Sequence, residues 1–196
     1  MERIHQQVKP IFDQLKSKPN VEFEFRLGKK NTDMFDTNVG KETFEKILEG
    51  LKKFSEWEKV FEQNTSVYYK GNTRMIMDDD TEEMTCMKKT KLKKLDFILE
   101  DQPYDIRFCA SNEIPVESSE DEVMDYMRVK RRTSFVRKNL SIDLTVVTGQ
   151  PDDLDDEEDE TYEVELEIID PHKVSGDNQL FNLIYKIQCL LNILSD

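Results

Sequence analysis

Histidine and cysteine are scarce in this chain, and the scarcity closes off several chemistries. Its 196 residues include 2 histidines and 3 cysteines. Cys86, Cys109 and Cys189 are odd in number and show no CxxC spacing, so neither a disulfide framework nor a zinc knuckle is indicated. His5 and His172 fall at expected element ends, which argues against a histidine-centred active site. No apolar run is long enough to cross a bilayer, and residues 1–18 are too charged for a signal peptide. A soluble, intracellular protein with no membrane partner is expected, with one domain over 1–196. Positive charge is also short, at 28 Lys and Arg against 42 acids and a net charge of −14. That balance looks hostile to nucleic acid, but it is uneven. Residues 152–160, DDLDDEEDE, hold eight acids and no base, leaving 34 acids against the same 28 bases elsewhere. This run reads as a solvated acidic loop between two strands, and no chemistry is assigned to it.

What the chain has in quantity is strict alternation. In residues 21–28, VEFEFRLG, Val21, Phe23, Phe25 and Leu27 share one strand face, and Glu22, Glu24 and Arg26 share the other. Residues 162–169, YEVELEII, repeat the pattern, with Tyr162, Val164, Leu166 and Ile168 opposing Glu163, Glu165 and Glu167. A solvated surface face is the plain alternative for any one such strand. Carboxylates at i, i+2 and i+4 stand only about 7 Å apart and repel, however, and glutamate is a poor strand former. A divalent cation such as Mg²⁺ or Mn²⁺, which takes oxygen ligands, is the usual offset.

Along the rest of the chain, Ile4, Val8, Ile11, Phe12 and Leu15 recur at helical spacing around Pro10, which is expected to start or kink that helix. Residues 29–39 read as loop, and Phe44, Ile47, Leu48, Leu51 and Phe54 mark a second helix after Gly40. Gly71-Asn72 reads as a hairpin turn between strands, the second of which carries Arg74. The lysines at 88, 89, 91, 93 and 94 cannot all face one way on a regular strand. Residues 104–113 place Asp105, Arg107, Cys109, Ser111 and Glu113 opposite Tyr104, Ile106, Phe108 and Ala110. In residues 127–136, Arg128, Lys130, Arg132 and Ser134 line one face and Arg131 lies on the other. Ser141, Asp143 and Thr145 then oppose Ile142, Leu144 and Val146. A last helix over 179–194 carries an apolar stripe, with Asp177 or Asn178 as its N-cap.

Seven or eight strands with one apolar face each, and three helices to cover those faces, predict a mainly β, α+β fold. Its centre is a closed antiparallel eight-stranded β-barrel with the helices packed outside and the charged faces lining the lumen. Acidic and basic walls facing each other suit a metal-bound polyanion, and phosphate is the natural ligand class.

Taken in order, VEFEFRLG, the basic 127–136 strand, SIDLT at 141–145 and YEVELEI at 162–168 resemble the motif series of the triphosphate tunnel metalloenzymes. Within that superfamily the chain is most similar to the metal-dependent RNA 5′-triphosphatases of mRNA capping in fungi, protozoa and large DNA viruses. The specific likenesses are YDIRFCASNEIP at 104–115 and RVKRRTSF at 128–135. The resemblance implies that Glu22, Glu24 and Glu167 hold Mg²⁺ or Mn²⁺. It implies that Arg74, Lys89 or Lys91, Arg128, Lys130 and Arg132 bind phosphate, and that Glu113, Asp143, Glu163 and Glu165 serve catalysis, with Glu165 or Glu113 orienting the attacking water. The implied substrates are 5′-triphosphate RNA and nucleoside triphosphates, with a guanylyltransferase partner and a location in the nucleus or a viral factory. One position departs from the family's RxDxT strand: Ser141 stands where arginine is expected, so either Lys138 or Arg128 supplies the missing charge or this chain lacks one phosphate or carboxylate contact. The alternatives are another tunnel-family phosphotransfer enzyme, such as an inorganic triphosphatase, and a non-catalytic polyanion-binding module.

Overall fold

Strands with one charged and one apolar face are stable only where both faces find a matching environment, and here the sheet meets that need by closing on itself. The computed structural model describes residues 1–117, 123–149 and 160–195; residues 152–159 of the acidic run lie outside that range. In chain order the elements are α1 (Glu2–Leu15), β1 (Val21–Lys30), β2 (Phe35–Asp36), α2 (Lys41–Lys53), β3 (Lys59–Lys70), β4 (Thr73–Asp78), β5 (Met84–Phe97), β6 (Asp105–Pro115), β7 (Tyr126–Arg137), β8 (Leu140–Thr148), β9 (Thr161–Ile168) and α3 (Asp177–Ser195). The strand order β1-β6-β5-β4-β3-β7-β8-β9 returns to β1 through an antiparallel β1–β9 pairing, giving a closed eight-stranded barrel to which β2 adds a short edge. This is the expected architecture.

The hydrophobic core lies outside the barrel wall. Phe23, Phe25 and Leu27 of β1 are at most 2% exposed, and they join Phe108 of β6, Leu144 of β8 and Leu166 of β9. The three helices cover this layer with Ile4, Val8 and Phe12 of α1, Phe44 and Ile47 of α2, and Leu180, Ile184 and Ile187 of α3. Pro10 neither starts nor ends α1 but lies inside it. The backbone hydrogen bond that a proline forfeits is offset by a fully buried stripe on the same helix. Asp177 and Asn178 are not N-caps: α3 begins at Asp177, and ahead of it Gln179 Oε1 accepts from the Ser175 N–H (2.8 Å) and hydroxyl (3.0 Å).

Two local features set the geometry of the lumen. The first is a register shift in the β5–β6 pairing between Lys91 and Lys93. On a regular strand Lys89, Lys91 and Lys93 would share a face. The extra residue inverts the alternation, so that Lys89, Lys91 and Lys94 pair with the inward-facing Glu113, Ser111 and Cys109, while Leu95 and Phe97 return to the outer core. The second lies within residues 29–39, expected to be loop, where β1 continues to Lys30 and Phe35–Asp36 pairs with its end. Gly28 permits this approach: a Cβ there would stand 2.2 Å from the Asp36 carbonyl oxygen and 2.3 Å from the Phe35 ring. The Phe35 ring in turn lies 4.4 Å from the Arg107 guanidinium. Gly28→Ala should therefore displace β2 and cost roughly 1–3 kcal/mol, the scale of overpacking a filled site, measured by urea denaturation. An unchanged midpoint would show that β2 is not held against β1.

Candidate active site in the barrel lumen

The inward residues of the eight strands form a lattice in which acids and bases interlock across strand boundaries. Arg26 is its junction. Its guanidinium donates to Glu24 on its own strand (3.2 and 3.1 Å) and reaches Glu165 Oε1 at 2.7 Å on β9. Glu165 also accepts from Arg132 Nη2 (3.4 Å), whose Nε donates to Thr145 Oγ1 (3.1 Å) and whose Nη1 stands 3.6 Å from Asp143. On the neighbouring wall the Lys89 ammonium sits between Glu22 and Glu113, the latter at 2.9 Å, and Ser111 donates to Glu22 (2.7 Å). Glu163 accepts from Thr37 (3.2 Å), which the segment after β2 carries to the lumen.

This lattice moves proton affinities in opposite directions. Burial alone would raise the Glu165 carboxyl, but Arg26, Arg132, Lys130 and Lys89 outweigh it and hold the group at about 2. Glu167 goes the other way: burial, then repulsion from Glu22 and Asp143, lifts it to about 8. Arg26, Arg132 and Lys89 are each raised above their ordinary values because the surrounding carboxylates outweigh the effect of burial. Glu167 is thus a partly buried carboxyl that keeps its proton beside Glu22 and Asp143.

The side chains named from the sequence mostly meet here. Glu22, Glu24, Arg74, Lys89, Lys91, Glu113, Arg128, Lys130, Arg132, Asp143, Glu163, Glu165 and Glu167 occupy inward register positions. Among the described residues no three His, Cys, Asp or Glu side chains converge as a ready-made metal cluster. Glu22 and Glu24 are occupied by Lys89 and Arg26. The donor set is nonetheless all carboxylate oxygen, which suits a hard divalent cation, and Glu24 and Glu167 are direct cross-strand partners.

At the departure from the RxDxT pattern, neither expected substitute is found. Lys138 is exposed on the β7–β8 turn, and Arg128 lies with Tyr69 and Tyr126. Instead Ser141 Oγ donates to Asp143 Oδ1 at 2.6 Å, and Arg132 faces the other carboxylate oxygen. Arg131 is exposed and pairs with Glu160, outside the lumen.

Other lumen residues did not emerge as site residues from the sequence. Arg26 shares the parity of Glu22 and Glu24, which was a usable signal. Lys94 was hidden by the bulge, and Thr37 by its place outside any predicted strand. Tyr69 and Tyr126 carry no local sequence signal that sets them apart. Two cavities follow from the arrangement, of about 250 Å³ and about 270 Å³, and Arg26, Arg74 and Lys89 line both. Lys91 and Lys94 face the first, Arg128 and Lys130 the second. Among the described residues Arg74, Lys91, Lys94 and Lys130 form no ion pair.

A closed antiparallel tunnel lined by interlocked carboxylates and cations, with several cations left over, defines a polyanion-holding tunnel protein. A model of the family described as mRNA capping enzyme, beta chain, matches residues 2–182, and the chain belongs to that family. Solved structures agree in fold. Pct1 RNA triphosphatase of S. pombe superposes with a TM-score of 0.81 at 17% identity, over 97% of this chain and 91% of that one. The Mimivirus capping enzyme triphosphatase superposes at 0.69 with 15% identity, over 98% of both chains. A comparison with curated proteins finds no match.

The proton held by Glu167 makes stability depend on pH. Its folded value of about 8 lies above the ordinary 4.5, so between these values the unfolded chain ionises while the folded chain keeps its proton. Stability from this group is therefore full below pH 4.5 and lost as pH rises towards 8. Without divalent metal, Glu167→Gln should gain thermal stability relative to wild type between pH 5 and pH 8. A Tm difference that does not change with pH would show that the carboxyl is not raised.

Proposed function

We propose that this chain is a polynucleotide 5′-triphosphatase that removes the γ-phosphate from triphosphate-ended RNA, the first step of mRNA capping, with nucleoside triphosphates as side substrates. The observation that carries this reading is the set of lumen cations that form no ion pair among the described residues, Arg74, Lys91, Lys94 and Lys130, inside a tunnel of the capping family. A phosphate chain satisfies several such cations at once, and its oxygens lie within reach of both tunnel walls. Glu22, Glu24 and Glu167 are the residues that would hold Mg²⁺ or Mn²⁺. Bound there, the cation would neutralise charge on the phosphoryl oxygens.

The chain's own groups do the rest by position. Lys130, Arg132 and Arg74 stabilise charge on the transferring phosphoryl group, and Lys89, which lines both cavities, adds an ammonium group beside them. A carboxylate held as low as Glu165 is a weak base, so its part is to anchor Arg26 and Arg132. Glu113 is the remaining candidate to orient the water, while Asp143 and Glu163 position Arg132 and the segment carrying Thr37. Water oxygen bonds to the γ-phosphorus and the bridging β–γ oxygen bond breaks, giving diphosphate-ended RNA and inorganic phosphate. That product is a substrate for a guanylyltransferase, the partner the reading implies, and it places the protein where transcripts are capped, in a nucleus or a viral factory.

The direct test is release of γ-phosphate from triphosphate-ended RNA with Mg²⁺ or Mn²⁺ and with chelator. Glu22→Ala should abolish release while the thermal melt is kept. Lys130→Ala and Arg132→Ala should each cost roughly 100-fold or more in kcat, the effect of losing one preorganised charge contact, whereas Arg131→Ala should be nearly silent. Equal losses at 130, 131 and 132 would rule out the lumen as the site.

A further inference from the structure

The larger cavity contains something that phosphate chemistry does not require. Tyr69 of β3 and Tyr126 of β7 are register partners whose rings stack at 4.7 Å and 10°. Both face the charged lumen, whereas most large apolar side chains of the barrel are packed in the outer core. The Arg128 guanidinium lies 5.7 Å from the Tyr69 ring and 5.5 Å from the Tyr126 ring, and Arg74 lies 5.5 Å from Tyr69. Tyr69 is 6% exposed and backs the stack, while Tyr126 is only half-buried. The rim around them is tied down. Asp125 accepts from the Gly71 N–H (3.1 Å), and its own N–H donates to the Tyr69 carbonyl (2.7 Å), which joins the β3–β4 hairpin to the start of β7.

An aromatic face beside guanidinium and ammonium groups is the chemistry that holds a base next to its phosphates. We propose that the Tyr69–Tyr126 stack is a nucleobase platform, and that the first base of the RNA, or the base of a nucleoside triphosphate, stacks on Tyr126 while its phosphates run past Arg128, Arg74 and Lys130. This rests on the triphosphatase reading and gives the tunnel a polarity, with the nucleoside at the β3–β4 hairpin and the phosphate chain leading towards Glu22, Glu24 and Glu167. Stacking tolerates every base, so the platform favours nucleotides over bare polyphosphate without selecting a sequence.

Two measurements on the full chain test it. In steady-state kinetics with triphosphate-ended RNA, ATP and inorganic triphosphate, Tyr126→Ala should lower kcat/KM for RNA and for ATP relative to that for inorganic triphosphate by roughly tenfold or more, mainly through KM, and Tyr126→Phe should keep the wild-type ratio. An unchanged ratio, with all three substrates affected alike, overturns the platform. If the wild type releases phosphate from none of the three, the triphosphatase reading fails instead. The second measurement does not need turnover or the alanine variant to fold. In Tyr126→Trp the only other indole is Trp57, which packs against Phe54 and Phe135 away from the lumen. ATP should quench the new indole and inorganic triphosphate should not, while equal responses to the two overturn the proposal.

Discussion

The bridge from Arg26 to Glu24 and Glu165 is the interaction on which the rest of the lumen depends. β1 and β9 are adjacent strands, and both turn glutamates inward, which without a cation between them would set like charges side by side. Placing a guanidinium at the junction converts the closure of the barrel from a repulsive contact into an attractive one. A buried ion pair recovers its desolvation cost only when its geometry is good and its remaining polar atoms are satisfied. Here Arg26 takes two carboxylates, Arg132 takes the far side of Glu165, and Thr145 and Ser141 serve Arg132 and Asp143. Two places in the lattice stay imperfect: Glu165 Oε1 lies 2.7 Å from Arg26 without a hydrogen bond, and Glu167 is raised by burial and by neighbouring acids. The lattice also leaves a surplus of positive charge on Arg74, Lys91, Lys94 and Lys130.

Because charge fills the inside, apolar burial has to be found outside. The three helices and the outer faces of β1, β6, β8 and β9, with Phe97 of β5 and Phe135 of β7, form a core separated from the lumen by the thickness of one sheet. Val60, Met84 and Met127, on β3, β5 and β7, are 49%, 54% and 42% exposed. Stability and chemistry are thus carried by opposite faces of the same strands. A change at Phe25 acts on the core and a change at Glu24 on the lumen, although the two residues are neighbours in the chain.

The same separation explains how much could be read in the sequence. Alternation at 21–28, 104–113, 127–136 and 162–169 carries its own parity, so the charged residues it assigned to one face arrive in the lumen together. Parity fails where a strand is irregular. The bulge after Lys91 exchanges Lys93 for Lys94, a change of phase with no composition signal of its own. It also fails where a contact comes from outside the strands, as with Thr37 on Glu163. Family pattern could flag Ser141 as a substitution, but not what replaces the lost charge. That depended on a hydroxyl 2.6 Å from Asp143 and on the direction of the Arg132 side chain, which are tertiary facts. Of the two roles open to Pro10, starting α1 is excluded because it lies inside the helix, where burial of its neighbours outweighs its local cost.

Glu167 and the cations left over together define what the tunnel is built to receive. A cation alone would satisfy Glu167 and leave the lysines repelling one another, and an anion alone would satisfy the lysines and leave Glu167 protonated or unpaired. A phosphate chain carrying a divalent metal corrects both imbalances in one binding event. Lys89 is the link between them, because it lines both cavities and is held by Glu22. Under the proposed function, a cation held by Glu22 would take that carboxylate from Lys89 and leave its ammonium group to a phosphate, which would couple the two ligands through one side chain.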